Sequence, residues 1–251
     1  METIKIRCSS IGKIMTGATQ VGLTAKQEET LVGLLAKIKL TDRQAEERDR
    51  LIAKRDAKPE LSVGAKTYVE SLVKAKYLLY EGAQLFSSKE TQKGLMVEDA
   101  AISFLSDFYF DEYKKNDEYF SNEYIHGTPD IIHNKTIKDV KCPWSKATFP
   151  ITLKDAINTD YEWQVRGYMW LTGSDMATIE YTLMDTPEEL CKYEDPLLHQ
   201  VYYLPAEKRV FQVVYLHDQE KQDMIKTQVQ MCQQYAKDFY DLITDTQLQQ
   251  L

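Results

Sequence analysis

An α/β fold is what the sequence predicts, and three stretches carry that prediction. Over 128–141, two short strand-like runs flank Asn134-Lys135, a dipeptide suited to a tight hairpin turn, so an antiparallel pair of strands is expected there. Apolar residues at helical spacing precede the hairpin over 91–109 and follow it over 161–172, where Gly173 ends the second run. Alternation over 176–184 and 209–217 adds two more strands. The order is helix, antiparallel strands, helix, strand, an α/β arrangement.

The 251 residues, 43% hydrophobic and 28% charged, suit one globular domain over 1–251, with a helical elaboration over 24–80, a core over 85–217 and a C-terminal helix over 218–251. The chain has no apolar run of about 18 residues, and its start, METIKIRCSS, lacks a signal-peptide apolar segment. A soluble, intracellular protein with no membrane partner is expected. Cys8, Cys142, Cys191 and Cys232 form no CxxC pair and the four histidines show no zinc spacing, so reduced thiols and no structural zinc are expected. The net charge of −8 argues against general coating of nucleic acid. Local basic residues nevertheless gather near the hairpin, at Lys135, Lys138, Lys141, Lys146 and Arg166, and near the start, at Lys5, Arg7 and Lys13.

In chain order, 4–7 reads as extended. Ser9 is placed as the N-cap of a helix reaching about Thr16, with Ile11, Ile14 and Met15 inward, and a serine there also suits an anion. Over 24–58, Leu31, Leu34, Leu35 and Ile38 make an apolar stripe, and Thr41 and Gln44 form a capping box for a second, charge-rich helix to about Ala57. That helix is read either as a solvated face or as an exposed partner site. Pro59 ends it, and 62–80 follows as a helix carrying Val69, Leu72, Val73 and Leu79. In the helix over 91–109, Leu95, Ile102 and Leu105 put Glu98 on the core-facing stripe, where its carboxylate needs a partner: a metal, a buried ion pair or water at the stripe edge. A strand over 118–125 leads to the hairpin, and 147–158 is a loop with a helical turn. Asp160 caps the helix over 161–172, a core helix apart from Gln164. Asp218 caps a final helix to about Ile243, with Met224, Val229, Tyr235 and Phe239 inward.

The hairpin holds the chemistry. Asp139 and Lys141, two apart on a strand, share a face, and pairing brings Asp130 alongside them. Two carboxylates, the carbonyl of Val140 and a lysine suit a hard divalent cation and metal-assisted phosphodiester hydrolysis. An ordinary salt bridge is the alternative.

Pro129-Asp130 and, nine positions on from Asp130, Asp139-Val140-Lys141 resemble the PD-(D/E)XK nuclease signature, and Lys141-Cys142-Pro143-Trp144 resembles its continuation in the phage lambda exonuclease (YqaJ-like, alkaline exonuclease) family. Gly94-x-x-x-Glu98 before it and Gln164-x-x-x-Tyr168 after it fall in family order, so the resemblance covers about 85–185. The resemblance implies a restriction-endonuclease-like core, a mixed central sheet flanked by helices, and a magnesium-dependent exonuclease, with manganese substituting and two ions per site. Such an enzyme degrades one strand of double-stranded DNA 5′ to 3′ and leaves 3′ single strands for recombination. By the same resemblance Asp130, Asp139 and Val140 ligate metal, Glu98 acts at or through the metal shell, Lys141 activates water and Gln164 positions Lys141 or the phosphate. Ser9, or Ser10, matches the family's serine at the DNA 5′-phosphate; Glu2 stands where its arginine falls, leaving Arg7 or Lys5 to substitute. The family also implies a homotrimeric ring, a single-strand annealing protein as partner, and a phage- or prophage-encoded protein in the bacterial cytoplasm.

Two rival readings remain at this point. An endonuclease keeps the same chemistry, although an iron-sulfur nuclease fits the scattered cysteines poorly. A catalytically silent DNA-binding module leaves unexplained why no catalytic position is vacant.

Overall fold

The computed structural model describes residues 2–17, 23–56, 59–81 and 87–248. The expected helix end at Ala57 and the core boundary at 85 lie outside them.

Strand β1 (Ile6–Arg7) passes through a 3-10 turn at Cys8–Ser10 into the short helix α1 (Ile11–Met15). This corrects the expected cap: Ser9 lies inside the turn, and Ser10, at the N-cap of α1, makes no side-chain capping bond. Packing explains the tighter turn, because Cys8 and Ile11 are buried against Gly167, where an added Cβ would stand 2.5 Å from Ile11 Cδ1. Helices α2 (Ala25–Leu35) and α3 (Asp42–Asp56) form a hairpin, each opened by a reciprocal Thr-Gln pair, Thr24 with Gln27 and Thr41 with Gln44. Leu31, Leu34 and Leu51 make a small core of their own, whereas Leu35 and Ile38, expected on the stripe, are exposed. Helix α4 (Val63–Tyr77) is capped by Ser62 and buries Val69 and Val73; Leu79 lies past its end, left-handed and exposed.

Helix α5 (Lys89–Tyr109), capped by Ser88, buries Lys93, Val97, Ala101, Ile102 and Leu105. Ile102 and Leu105 are buried as expected, but toward the start of the helix Lys93 and Val97 take the buried places, leaving Leu95 exposed and Glu98 on the flank. Strands β2 (Phe120–Ser121) and β3 (Ile125–Gly127) join β1 in a sheet of order β1-β3-β2, with β1 and β3 parallel.

The larger sheet has the order β4-β5-β6-β7. Strands β4 (Ile131–His133) and β5 (Thr136–Lys141) form the hairpin, and positive φ at Asn134 (48°) and Lys135 (58°) gives the mirror-image turn that matches strand twist. Helices α6 (Leu153–Ala156) and α7 (Thr159–Thr172) then cross over to β6 (Met176–Thr182), parallel to β5. The side chain of Asn158, not Asp160, caps α7, and Gly173 ends it with φ 66°. Two short helices unseen in the sequence, α8 (Glu188–Cys191) and α9 (Pro196–His199), precede the antiparallel strand β7 (Val210–Leu216) and the long helix α10 (Gln219–Leu248).

Alternation gives β5 two different faces. Ile137 joins Val165, Met169, Ile179, Val213, Ile225 and Val229 in the main core on the α7 side. Val140 joins Ala101, Ile102, Leu105 and Ile131 on the α5 side. Among the described residues no helix is long and apolar enough to cross a membrane.

Candidate active site

Hairpin register brings the carboxylates together. With Ile131 opposite Lys138 and Ile132 opposite Ile137, the next step outward sets Asp130 against Asp139 and Pro129 against Val140. Proline has no N–H and β4 stops at Ile131, so the ladder ends there. The Asp130 carboxylate replaces it: its Oδ2 accepts the Val140 N–H at 2.7 Å.

Asp139 is buried on the α7 face of β5, and its two oxygens differ. Oδ1 accepts the Gln164 amide at 3.0 Å. Oδ2 lies 2.7 Å from the Lys141 ammonium but receives no directed hydrogen bond, alone in this respect among the buried side-chain polar atoms of the described residues. Gln164 joins the pair from α7: its Oε1 accepts from Lys141 Nζ at 3.4 Å, while its Nε2 also reaches the Tyr168 hydroxyl at 3.2 Å. Lys141 further lies over the Tyr161 ring, 4.7 Å from its centre.

The charges are strained by this crowding. Burial first, and then the Asp139 charge, push the Asp130 carboxyl up to about 7 against the pull of Lys141 and the Val140 N–H. Burial works against the Lys141 charge, but Asp139 and then Asp130 outweigh it, so its pKa is raised. The result is a largely buried acidic centre in which, among the described residues, Lys141 is the one cation paired to a carboxylate.

An open cleft of about 490 Å³ reaches this centre at Asp130 and Lys141, while Asp139 and Gln164 are buried and are not among its walls. Glu98 and Leu95 from α5, Asp130, Val140 and Lys141 from the hairpin, and Trp144 and Tyr161 are among its walls. Glu98 thus lines the same cleft as Asp130 and Lys141, but its carboxylate is held by Lys115 at 3.0 Å, with Asp99 on the same ammonium at 3.1 Å. Its expected partner is therefore supplied by a lysine beyond the helix. Among the described residues no three His, Cys, Asp or Glu side chains are gathered as a ready metal cage. Ser9, Ser10 and Arg7 do not line the cleft.

The expected basic cluster is mostly occupied elsewhere. Lys138 pairs with Glu180 at 2.8 Å on the opposite face of β5, Lys135 faces Asp175 at 3.8 Å, and Arg166 is held by Glu162 at 2.8 Å. Lys146 donates to the Leu197 carbonyl and the Tyr203 hydroxyl. Near the start, Lys5 donates to Ser121 Oγ at 2.8 Å. The sequence reading missed Lys93, which donates to the carbonyls of Pro143 at 2.6 Å and Trp144 at 3.0 Å. Its available signal was a lysine four residues before Val97 and eight before Ala101, on the apolar stripe itself. Tyr161 and Tyr181, both cleft walls, were also missed, because core aromatics carry no mark of a site.

The chain is similar to a phage-related exonuclease from Haemophilus somnus 129PT, at 27% identity over 97% of each chain and a TM-score of 0.73. It shares its fold with the alkaline exonuclease LHK-Exo from Laribacter hongkongensis, at 16% identity over 89% of this chain and 100% of that one, with a TM-score of 0.57. LHK-Exo in complex with dAMP matches at 14% identity over 97% of each chain, with a TM-score of 0.56. No family model and no curated protein matches the chain. Its mixed α/β architecture and its structural neighbours, a phage-related and an alkaline exonuclease, are consistent with the lambda exonuclease, YqaJ-like family.

Proposed function

We propose that this chain is a magnesium-dependent DNA exonuclease of the lambda type, hydrolysing one strand of duplex DNA from the 5′ end to leave a 3′ single strand for recombination. The observation that carries the reading is the meeting of Asp130, Asp139, Lys141 and Gln164 at the end of β5, beside one open cleft. Identity of 27% to a phage-related exonuclease along nearly the whole chain supports it.

The donor set fits magnesium, which takes oxygen ligands and commonly uses one or two carboxylates with water and substrate phosphate. Asp139, through the oxygen that lacks a directed hydrogen bond, and Asp130 would hold it together with the Val140 carbonyl; manganese would substitute. A second ion would need Glu98 to exchange Lys115 for metal. Bound there, the ion would offset charge on the attacked phosphate and acidify a water. Lys141 supplies the protein's proton acceptor at Nζ. Paired to Asp139 it stays protonated, so it becomes a base only once the carboxylate charge beside it is offset. Gln164, bonded to both Asp139 and Lys141, fixes their relative orientation.

The 5′-phosphate role of Ser9, Ser10 and Arg7 rests on the resemblance alone, as do the annealing-protein partner and the setting in a phage-carrying bacterial cytoplasm. A homotrimeric ring, also proposed on that basis, would retain duplex DNA topologically; a monomer mass by light scattering would remove it. Digestion of a blunt duplex labelled at either end, with magnesium and with chelator, tests the activity. Stepwise loss of the 5′ label first, only with metal, is the expected result. Internal fragments would favour an endonuclease, and no cleavage a silent binding module.

A further inference from the structure

Lys93 is fully buried near the start of α5, and among the described residues it forms no ion pair. Its ammonium is satisfied by two main-chain carbonyls, those of Pro143 and Trp144, while Asp185 acts on it only from a distance. An ammonium without a carboxylate is a costly group to bury, and a methionine of similar length would fill the space without that cost. Stability alone therefore does not account for a lysine here.

Its location suggests what does. Lys93 lies five residues before Glu98 on α5, and its acceptors begin two residues after Lys141, where β5 has just ended. It thus bridges the two walls of the cleft. The same lip is held from its other side: Thr186 Oγ1 donates to the Trp144 carbonyl at 2.8 Å, and the indole N–H donates to Glu194 at 3.0 Å. His199, buried between Thr186 and Glu194 at 3.0 Å from each, braces both. We propose that Lys93 is a positioning residue: it locks the Pro143-Trp144 lip to α5 and so sets the spacing between the Glu98 wall and the Lys141 end of β5. Burial also lowers its pKa to about 8, in keeping with a charge that the surroundings barely tolerate. The inference rests on the nuclease reading of the cleft.

The test compares the full-length wild type with Lys93→Met and Lys93→Arg. The methionine variant should fold with an unchanged or higher Tm, and its kcat on duplex DNA should fall about 10- to 100-fold, the scale of a catalytic group displaced by about 1 Å. KM should stay within about threefold, Lys93→Arg should recover part of kcat, and amide hydrogen exchange over 142–145 should quicken in the methionine variant. A folded Lys93→Met with wild-type kcat overturns the proposal. Should that variant fail to fold, Lys93→Gln, too short to span both carbonyls, takes its place with the same expectation and the same overturning result. Wild-type protein that cleaves nothing sinks the nuclease reading instead; exchange over 142–145 then still decides whether Lys93 locks the lip.

Discussion

Strand β5 carries a buried lysine-carboxylate pair on each face, and the two are built to opposite ends. On the α5 side, Glu180 Oε1 accepts from Lys138, Thr178 and Gln212, each at 2.8 Å, and its Oε2 accepts from Tyr109 at 3.0 Å. Lys138 lies 4.9 Å from the ring centres of both Tyr109 and Tyr113. Both oxygens of that carboxylate are used, and aromatic faces shelter the cation. On the α7 side, Asp139 shares its surroundings with a second carboxylate, one oxygen lacks a directed hydrogen bond, and a cleft opens beside it. Neighbouring positions in one strand thus hold a closed network that fixes the sheet and an open one that has room for a cation.

Removing the open pair should cost activity most. Lys141→Ala and Asp139→Asn should each lower cleavage by at least about 10²- to 10⁴-fold, the range of a lost proton-transferring group, with the circular dichroism of the wild type. A normal turnover rate in either would move the site elsewhere. The closed pair should behave the other way. Lys138→Met leaves Glu180 buried without its cation, so chemical denaturation should show a loss of about 3–5 kcal/mol while cleavage per folded molecule stays near normal. Lost activity with unchanged stability would erase the distinction between the two faces.

How far each region was legible in the sequence follows the same division. The hairpin, its turn at Asn134-Lys135 and the facing of Asp139 and Lys141 were readable because strand alternation and turn chemistry are local. So were the caps at Thr41 and Asp218, each seen in the structure. Glu98 was read on the stripe itself because Leu95 was taken as inward; the spacing of Lys93 from Val97 and Ala101 marks the buried place, but a lysine there reads as solvent-facing. Its counterion, Lys115, comes from a loop beyond the helix, a long-range contact that no spacing rule anticipates. The cap of α7 slipped from Asp160 to Asn158 because both residues are good caps two positions apart. Lys138 looked like part of a DNA-facing cluster for a similar reason: its partner, Glu180, lies on a strand 42 residues away.

A smaller effect separates the faces by pH. The folded Asp130 carboxyl titrates near 7 rather than at its ordinary 3.8, so between those values the folded metal-free protein holds a proton that the unfolded chain has released. Stability from this group is present in full below the lower value and is lost as pH rises through 7. Tm of the metal-free protein should fall accordingly, Asp130→Asn should flatten that fall, and magnesium should restore Tm above pH 7. A metal-free Tm profile identical in Asp130→Asn would contradict the crowding of the two carboxylates.

Calorimetric titration of magnesium into the wild type, Asp139→Asn and Glu180→Gln reaches the central claim most directly, because it asks which of the two carboxylates has room for a further cation before any DNA is present. The account predicts binding to the wild type, its loss in Asp139→Asn and wild-type affinity in folded Glu180→Gln. Equal affinity in the wild type and Asp139→Asn would contradict it.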